Sequence, residues 1–215
     1  MSTDARLAEQ RRYYAERAPE YDDWWYRRGH YALDAETEAR WWADVAEVEE
    51  ALRAFAPRGD VLELAAGTGI WTRKLVDLAD RVVALDANAE PLAFNTPAAE
   101  HVQADVFDWH PAERFDLCFF SFWLSHVPES RFDEFWSLVR RALKPGGRVF
   151  LLEGTIGDRA PAGEDEMRSL ADGLEFLIIK RYWTLAELEE RVGRLGFRLS
   201  LHESTNGVFL YGGGS

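Results

Sequence analysis

Cysteine is nearly absent from this chain: Cys118 stands alone, which excludes an internal disulfide and any multi-cysteine metal centre. Its place inside the apolar run Phe115 to Ser121 makes a buried, inert thiol the simplest reading. Basic residues are also scarce, 25 Lys and Arg against 38 Asp and Glu, for a formal charge of −13. That balance argues against an extended phosphate-tracking surface, since nucleic-acid affinity comes mostly from cations that displace counterions, and leaves room only for a local basic patch. No apolar run approaches the roughly 20 residues that a bilayer-crossing helix needs, and Met1 to Arg12 mixes charge and polarity without the apolar stretch of a leader. The five histidines lie far apart with no paired ligand spacing, so no metal is expected. There is no internal repeat and no low-complexity linker. The expected protein is soluble and cytoplasmic, with no nucleic-acid or membrane partner; its oligomeric state is not legible.

What is present is a globular composition: 215 residues, 47% hydrophobic and 29% charged, enough for one domain with a substantial core. Helical spacing of apolar residues predicts amphipathic helices over Asp4 to Arg17 and Ala35 to Phe55, each running close to a proline (Pro19, Pro57), with an aromatic loop between them. After Pro57-Arg-Gly-Asp60 the pattern becomes short apolar runs separated by helix-length segments: Val61 to Ala65, Arg81 to Leu85, His101 to Ala104, Phe115 to Ser121 and Arg148 to Leu152. Helices fall at Ile70 to Leu78, Glu90 to Phe94 and Arg131 to Leu143, the last stopped by Lys144-Pro-Gly-Gly147. Such alternation predicts an α/β fold, a mostly parallel sheet with helices on both faces. Residues 157–172 read as an irregular insert before the apolar run Leu174 to Ile179. Thr184 and Glu187 form a capping box for a helix over Leu185 to Gly193. Phe197 to His202 and Val208 to Tyr211 then form a hairpin through Asn206-Gly207. The final Tyr211-Gly-Gly-Gly-Ser215 reads as a frayed end or appended tail.

The most informative stretch is Val61-Leu-Glu-Leu-Ala-Ala-Gly-Thr-Gly69, a strand closing in a small-residue turn that opens a helix at Ile70. Small residues let a ligand approach the backbone, and the first N–H groups of the helix offer a positive pole. Asp86 closes the second strand about twenty residues later, where a carboxylate can take both hydroxyls of a ribose, and Asp105 closes the third. A nicotinamide-type site is disfavoured because no third glycine follows Gly67-Thr-Gly69 at the required spacing.

These residues resemble the class I S-adenosylmethionine-dependent methyltransferases, a resemblance running from Tyr13-Tyr-Ala-Glu-Arg-Ala-Pro-Glu-Tyr-Asp22 to the terminal hairpin. Their first motif, an acidic residue followed by alternating glycines, corresponds to Glu63, Ala65, Gly67 and Gly69; alanine replaces the first glycine, the smallest side-chain addition available. The resemblance implies a Rossmann-like seven-stranded sheet with an antiparallel last strand, and S-adenosyl-L-methionine as cofactor. It implies that Glu63 orders the loop near the methionine amine, Asp86 and neighbouring Ala87 hold the ribose side, and Asp105 and Val106 meet the adenine. Thr68 belongs to the same turn. The resemblance further implies that the segment Ser121-Phe-Trp-Leu-Ser-His126, Ser121 at its head, lies beside the methionine part and the methyl group.

The early aromatics, Tyr13, Tyr14, Tyr21, Trp24, Trp25, Tyr26 and Tyr31, have two readings: rings glued into the core, or a lid closing over a sulfonium and excluding water. On the lid reading, residues 1–56 form the cover and residues 57–211 the cofactor-binding part of one structural domain. Tyr14 and Tyr21 are then nearest the cofactor, with Trp25, Tyr26, Trp123 and His126 toward the substrate. Arg17 could pair with the methionine carboxylate or stay on an exposed helix face. His126, in Leu124-Ser-His-Val-Pro128, is either a general base, with turnover falling below the ordinary histidine pKa near 6.5, or a structural histidine bonded across a turn; His30 and Glu153 are weaker candidates. The expected activity is methyl transfer to an N, O or C nucleophile of a small, aromatic or heterocyclic molecule. Two rivals stay open: a non-catalytic S-adenosylmethionine-binding regulator, and a macromolecular (tRNA or protein) methyltransferase.

Overall fold

The computed structural model describes residues 1–155 and 164–215. Its strands are β1 (Asp60–Leu64), β2 (Arg81–Asp86), β3 (Glu100–Gln103), β4 (Phe115–Ser121), β5 (Leu143–Gly154), β6 (Asp165–Ser169), β7 (Glu175–Ile179), β8 (Leu199–Glu203) and β9 (Phe209–Gly214). Seven of them form one sheet in the order β3-β2-β1-β4-β5-β9-β8, while β6 and β7 pair as a separate hairpin. β1 to β5 run parallel to one another, and β9 enters antiparallel to both β5 and β8. β4 shows why such strands are apolar throughout. Leu117 and Phe119 point into one core layer with Trp25, Trp41 and Val48, and Cys118 and Phe120 into the other with Phe135, Trp136 and Val139. A strand buried on both faces cannot afford the polar alternation of a half-exposed one.

The helices are α1 (Thr3–Trp25), α2 (Ala35–Phe55), α3 (Thr72–Leu75), α4 (Ala89–Leu92), α5 (Phe132–Ala142) and α6 (Leu185–Arg194). α1 corrects the expectation of a helix ending at Arg17 before an aromatic loop: it continues through Pro19 to Trp25. Proline removes one N–H from the helix ladder, but burial on both sides of it, at Tyr13, Arg17, Ala18 and Trp25, holds the helix together. Trp25 is 2% exposed and packs against Trp41, Trp71 and Phe209 at ring separations of 5.4, 5.8 and 6.3 Å. The end of α1 is therefore core. α2 is capped by Asp34, which accepts from Thr37 N at 3.0 Å. It is tied to the β8–β9 turn by buried Asp44, which accepts from Ser204 Oγ (2.6 Å), Asn206 Nδ2 (2.7 Å) and Val208 N (3.1 Å).

Two further expectations change. The glycine tail is not frayed: Gly212, Gly213 and Gly214 pair with β5 on one side and β8 on the other. A Cβ on Gly213 would lie 2.2 Å from the Val149 carbonyl oxygen and one on Gly214 1.9 Å from that of Arg198, so the strand needs residues without side chains. Of the expected insert at 157–172, Asp165–Ser169 is β6, paired antiparallel with β7; residues 156–163 lie outside the described residues. No helix among the described residues is long and apolar enough to cross a membrane, and no group of three or more His, Cys, Asp or Glu there is placed to hold a metal ion.

Candidate active site

The C-terminal ends of β1, β2 and β4 open on one side of the sheet, where α/β sheets commonly bind ligands. After β1 the chain turns with Ala65 at φ +53°, Gly67 at +56° and Gly69 at +83°. The two glycines do different work. A Cβ on Gly67 would meet nothing within 4 Å, so this backbone faces open space, whereas one on Gly69 would lie 2.1 Å from Asn95 Oδ1. Ala65 holds a left-handed conformation that costs an L-residue about 1–2 kcal/mol; its difference from glycine is conformational rather than steric.

Asp86 braces this turn from β2. Its carboxylate accepts from Gly67 N and from Asn88 N, both at 2.9 Å. Burial pushes its pKa up to about 6, against the opposing pull of those backbone N–H groups. Glu63 lies beneath the turn, 1% exposed, accepting from Thr72 Oγ1 at 2.5 Å, and Thr72 Oγ1 in turn accepts from Asn95 Nδ2 at 3.0 Å. Burial raises the Glu63 carboxyl to about 8, a neutral-acid tendency that its hydrogen bond to Thr72 only partly opposes. After β3, Asp105 Oδ1 accepts from Phe107 N at 2.9 Å and Oδ2 pairs with Arg11 of α1.

α1 roofs the opening. Leu7, Gln10, Arg11, Tyr14, Ala18 and Tyr21 face down from it onto the cleft, and their spacing of three and four residues marks one helix face. The roof is fastened on three sides. Asn88 Nδ2 donates to Arg11 O (3.0 Å) and Thr68 Oγ1 to Asp22 Oδ1 (2.6 Å), while Gln10 bridges to Ile179 N (3.1 Å) and His126 O (3.3 Å).

At the end of β4, Ser121, Phe122 and Trp123 lead into a short 3-10 turn, Leu124–His126. Phe122 sits at φ +53°, a strained conformation of the kind found beside binding sites. His126 is 4% exposed. Its Nδ1 lies 2.6 Å from the Ile179 carbonyl oxygen, which can only accept, so Nδ1 carries the proton. Nε2 therefore accepts from the Tyr14 hydroxyl at 2.7 Å. Burial, reinforced by Lys180, moves the His126 pKa well below 6.5 despite the Ile179 bond, with Arg168 and Arg17 adding to the depression. The imidazole is thus neutral, and its free electron pair is directed at Tyr14.

The structure gathers Tyr14, Tyr21, Ala65, Gly67, Thr68, Asp86, Ala87, Asp105, Val106, Ser121, Trp123 and His126 around this one cleft. Glu63 and Gly69 do not line it but support the turn from behind. Trp25 borders a smaller adjoining cavity with Phe122 and Trp71, and Tyr26 stacks on Trp42 at 6.2 Å, so neither lines the main cleft. Sequence reasoning missed Leu7, Gln10, Arg11, Ala18, Asn88, Pro91 and Phe107. The α1 members repeat at 7, 10, 11, 14, 18 and 21, a signal that becomes visible once the helix is read through Pro19.

A family model for a methyltransferase domain matches residues 61–147. No curated protein matches the chain. Among solved structures, a DhpI-SAM-HEP complex is 38% identical over 99% of both chains, with a TM-score of 0.83. A DhpI-SAH complex is 40% identical over 99% of this chain and 97% of that one, at 0.81. The 1,6-didemethyltoxoflavin-N1-methyltransferase of Burkholderia thailandensis shares the fold at 18% identity, covering 100% of this chain and 90% of that one, at 0.68. The chain belongs to the class I S-adenosylmethionine-dependent methyltransferases. It is an enzyme of that class, with S-adenosyl-L-methionine as its cofactor.

Proposed function

We propose that the cleft under α1 transfers the methyl group of S-adenosylmethionine to a small molecule. The supporting observation is the lining of one covered cleft: the strand-end carboxylates Asp86 and Asp105, the open backbone at Gly67 and the α1 side chains Tyr14 and Tyr21 all face it, an arrangement that suits a small acceptor rather than an extended chain. The residues fit the cofactor. Asp86 has spare lone pairs for ribose hydroxyls beyond its two backbone bonds. Asp105 and Val106 flank the adenine position, with one lone pair on each Asp105 oxygen still open. Ala65, Gly67, Thr68 and Ala87 bring backbone close to the methionine and ribose, and Ser121, Tyr14 and Tyr21 border the methyl end. Glu63 acts indirectly, by holding the turn. The bound cofactor supplies an electrophilic sulfonium methyl for in-line displacement.

Trp123 and His126 then face the acceptor. Because Nε2 is already engaged, His126 acts through Tyr14: as the acceptor's N–H or O–H proton moves to the Tyr14 oxygen, the Tyr14 proton moves to Nε2, and Ile179 O stabilises the resulting imidazolium through Nδ1–H. A ring-shaped acceptor draws support from Trp123 and Phe122, but not from Trp25 or Tyr26. Residues 1–56 act as the cover, with their end rooted in the core, and residues 57–211 as the cofactor-binding part. The acidic surface and lone buried thiol support a cytoplasmic protein without a nucleic-acid partner. Calorimetry with S-adenosylmethionine, followed by a metabolite screen read by S-adenosylhomocysteine formation, tests the proposal. Cofactor binding with turnover only on tRNA or protein would overturn it.

A further inference from the structure

Arg17 is the buried cation of α1, whereas Arg12, which lies over the Phe176 ring, is exposed. Arg6 pairs with Asp165 at 2.7 Å and Arg11 with Asp105, but Arg17 makes no hydrogen bond or ion pair with any described residue, and its Nε is sealed from solvent with no acceptor. The residue is 8% exposed. Its guanidinium lies against four rings, Tyr21 at 5.0 Å, Tyr13 at 5.5 Å, Trp24 at 5.6 Å and Tyr31 at 6.0 Å. Aromatic faces offset part of the desolvation of a cation, yet they leave its N–H fork unmet, and removing a charge from water without a hydrogen-bonding partner is strongly unfavourable. The planar fork is shaped for a bidentate oxyanion.

The box adjoins the cleft on its His126 side. Tyr21 and Tyr14 line the cleft, their rings are 6.5 Å apart, and Tyr14 meets His126 edge-on at 5.2 Å. Beyond His126, Lys180 Nζ donates to Ser125 Oγ at 2.8 Å. Lys180 and Arg17 both act electrostatically on His126 from this side, and Lys180 acts also on the buried Glu153 carboxyl. The glycine-turn end is arranged differently, with Arg73 committed to Thr68 O at 3.1 Å and to Asp22 at 3.6 Å. The buried carboxyl of Glu153 accepts from Ser125 N at 3.3 Å and forms no ion pair with Arg17.

We infer that the methyl acceptor carries an oxyanionic group that docks on Arg17. This rests on the small-molecule reading above and narrows it to acidic acceptors; the same chemistry could instead come from the methionine carboxylate, and the test separates the two. The full-length protein, with and without saturating S-adenosylhomocysteine, is titrated by calorimetry with glycolate and inorganic phosphate as planar and tetrahedral anions, and with glycolamide as the neutral control. At least one anion should bind about tenfold or more tighter than glycolamide, and Arg17→Met should abolish that preference while changing S-adenosylmethionine affinity less than about threefold.

Met fits an apolar aromatic box. The ligand-free variant should therefore melt no lower than the wild type, because an unpaired buried charge has been removed, and Arg17→Lys should keep part of the preference. Anions that bind no better than glycolamide, or an Arg17→Met variant that keeps anion binding, would overturn the inference. A variant that loses cofactor affinity but not anion binding would also do so, by assigning Arg17 to the methionine carboxylate. Failure of the wild type to bind the cofactor would count against the proposed function alone, since the anion titration is read without cofactor as well.

Discussion

Asp86 links the cleft to pH in a way that can be calculated. With a pKa near 6, well above the ordinary aspartate value of about 3.9, the ligand-free protein holds a proton there that the unfolded chain does not. Between those values the folded state binds more protons, so this group's contribution to stability is full below about 3.9 and is lost as pH rises toward 6. Ligand binding runs the other way if ribose hydroxyls donate to the ionised carboxylate. Binding then expels the proton, about half a proton at pH 6 and a tenth at pH 7, and affinity falls close to tenfold per pH unit well below 6. Calorimetry at pH 5 to 6.8, in two buffers of different ionisation enthalpy, measures both. Asp86→Ala removes hydrogen bonds to a charged acceptor worth about 1.5–3 kcal/mol and should weaken binding by roughly one to two orders of magnitude; Asp86→Asn should flatten the pH dependence. A wild-type dissociation constant constant across that range with no proton release, or unweakened binding by Asp86→Ala, would refute the assignment of Asp86 to the ribose.

Two other expectations concern the roof and the sheet. Tyr14→Phe leaves His126 Nε2 without its donor and breaks the route from acceptor to imidazole, so turnover should drop about 10²- to 10⁴-fold with cofactor affinity nearly unchanged. In the wild type, the depressed His126 pKa should keep turnover level as pH falls through 6.5, and an acid limb centred at the ordinary histidine value would contradict the neutral, buried imidazole. Gly213→Ala forces a methyl to within 2.2 Å of Val149 O and should cost about 1–3 kcal/mol or more, read as a lower denaturant midpoint; wild-type stability would show that β9 tolerates being prised from β5.

The parts legible in the sequence were those governed by local pattern. β4 falls at Phe115–Ser121 as expected because a doubly buried strand is a continuous apolar run bounded by charge and turn. Thr184 caps α6 as expected, accepting from Glu187 N at 3.3 Å, because an N-cap is complete within four residues; the other half of the expected box gives way to Arg181, from which the Glu187 carboxylate accepts at 2.6 Å. What escaped depends on partners far along the chain. The Gly212–Gly214 segment looks like a tail until β5 and β8 close on it from both sides. His126 looks like a free base until Ile179, 53 positions away, takes Nδ1 and α1 brings Tyr14 to Nε2. Glu63 carries the expected acidity at the expected place, but its depth below the turn follows from Thr72 and Asn95.

The aromatic cluster is divided between the cleft and the core. Tyr14 and Tyr21 look onto the cleft, while Trp25, one turn further along the same helix, is among the most buried side chains of the domain. Hinging α1 as a rigid body would drag Trp25 out from between Trp41, Trp71 and Phe209, exposing an indole whose burial is worth several kcal/mol in core truncations, about 3–5 for Trp to Ala. The fastenings nearer the start of the helix are polar and reversible: Asn88 to Arg11 O, Gln10 to Ile179 N, and the half-exposed Arg11–Asp105 pair. Releasing residues 3–18 alone would keep Trp25 rooted, but it would uncover Leu7, Tyr13 and Ala18, which are 4%, 2% and 3% exposed, so the start of α1 is held by burial as well as by these bonds. Pro19 stands at that boundary, where the helix already lacks one backbone hydrogen bond and bends at least cost.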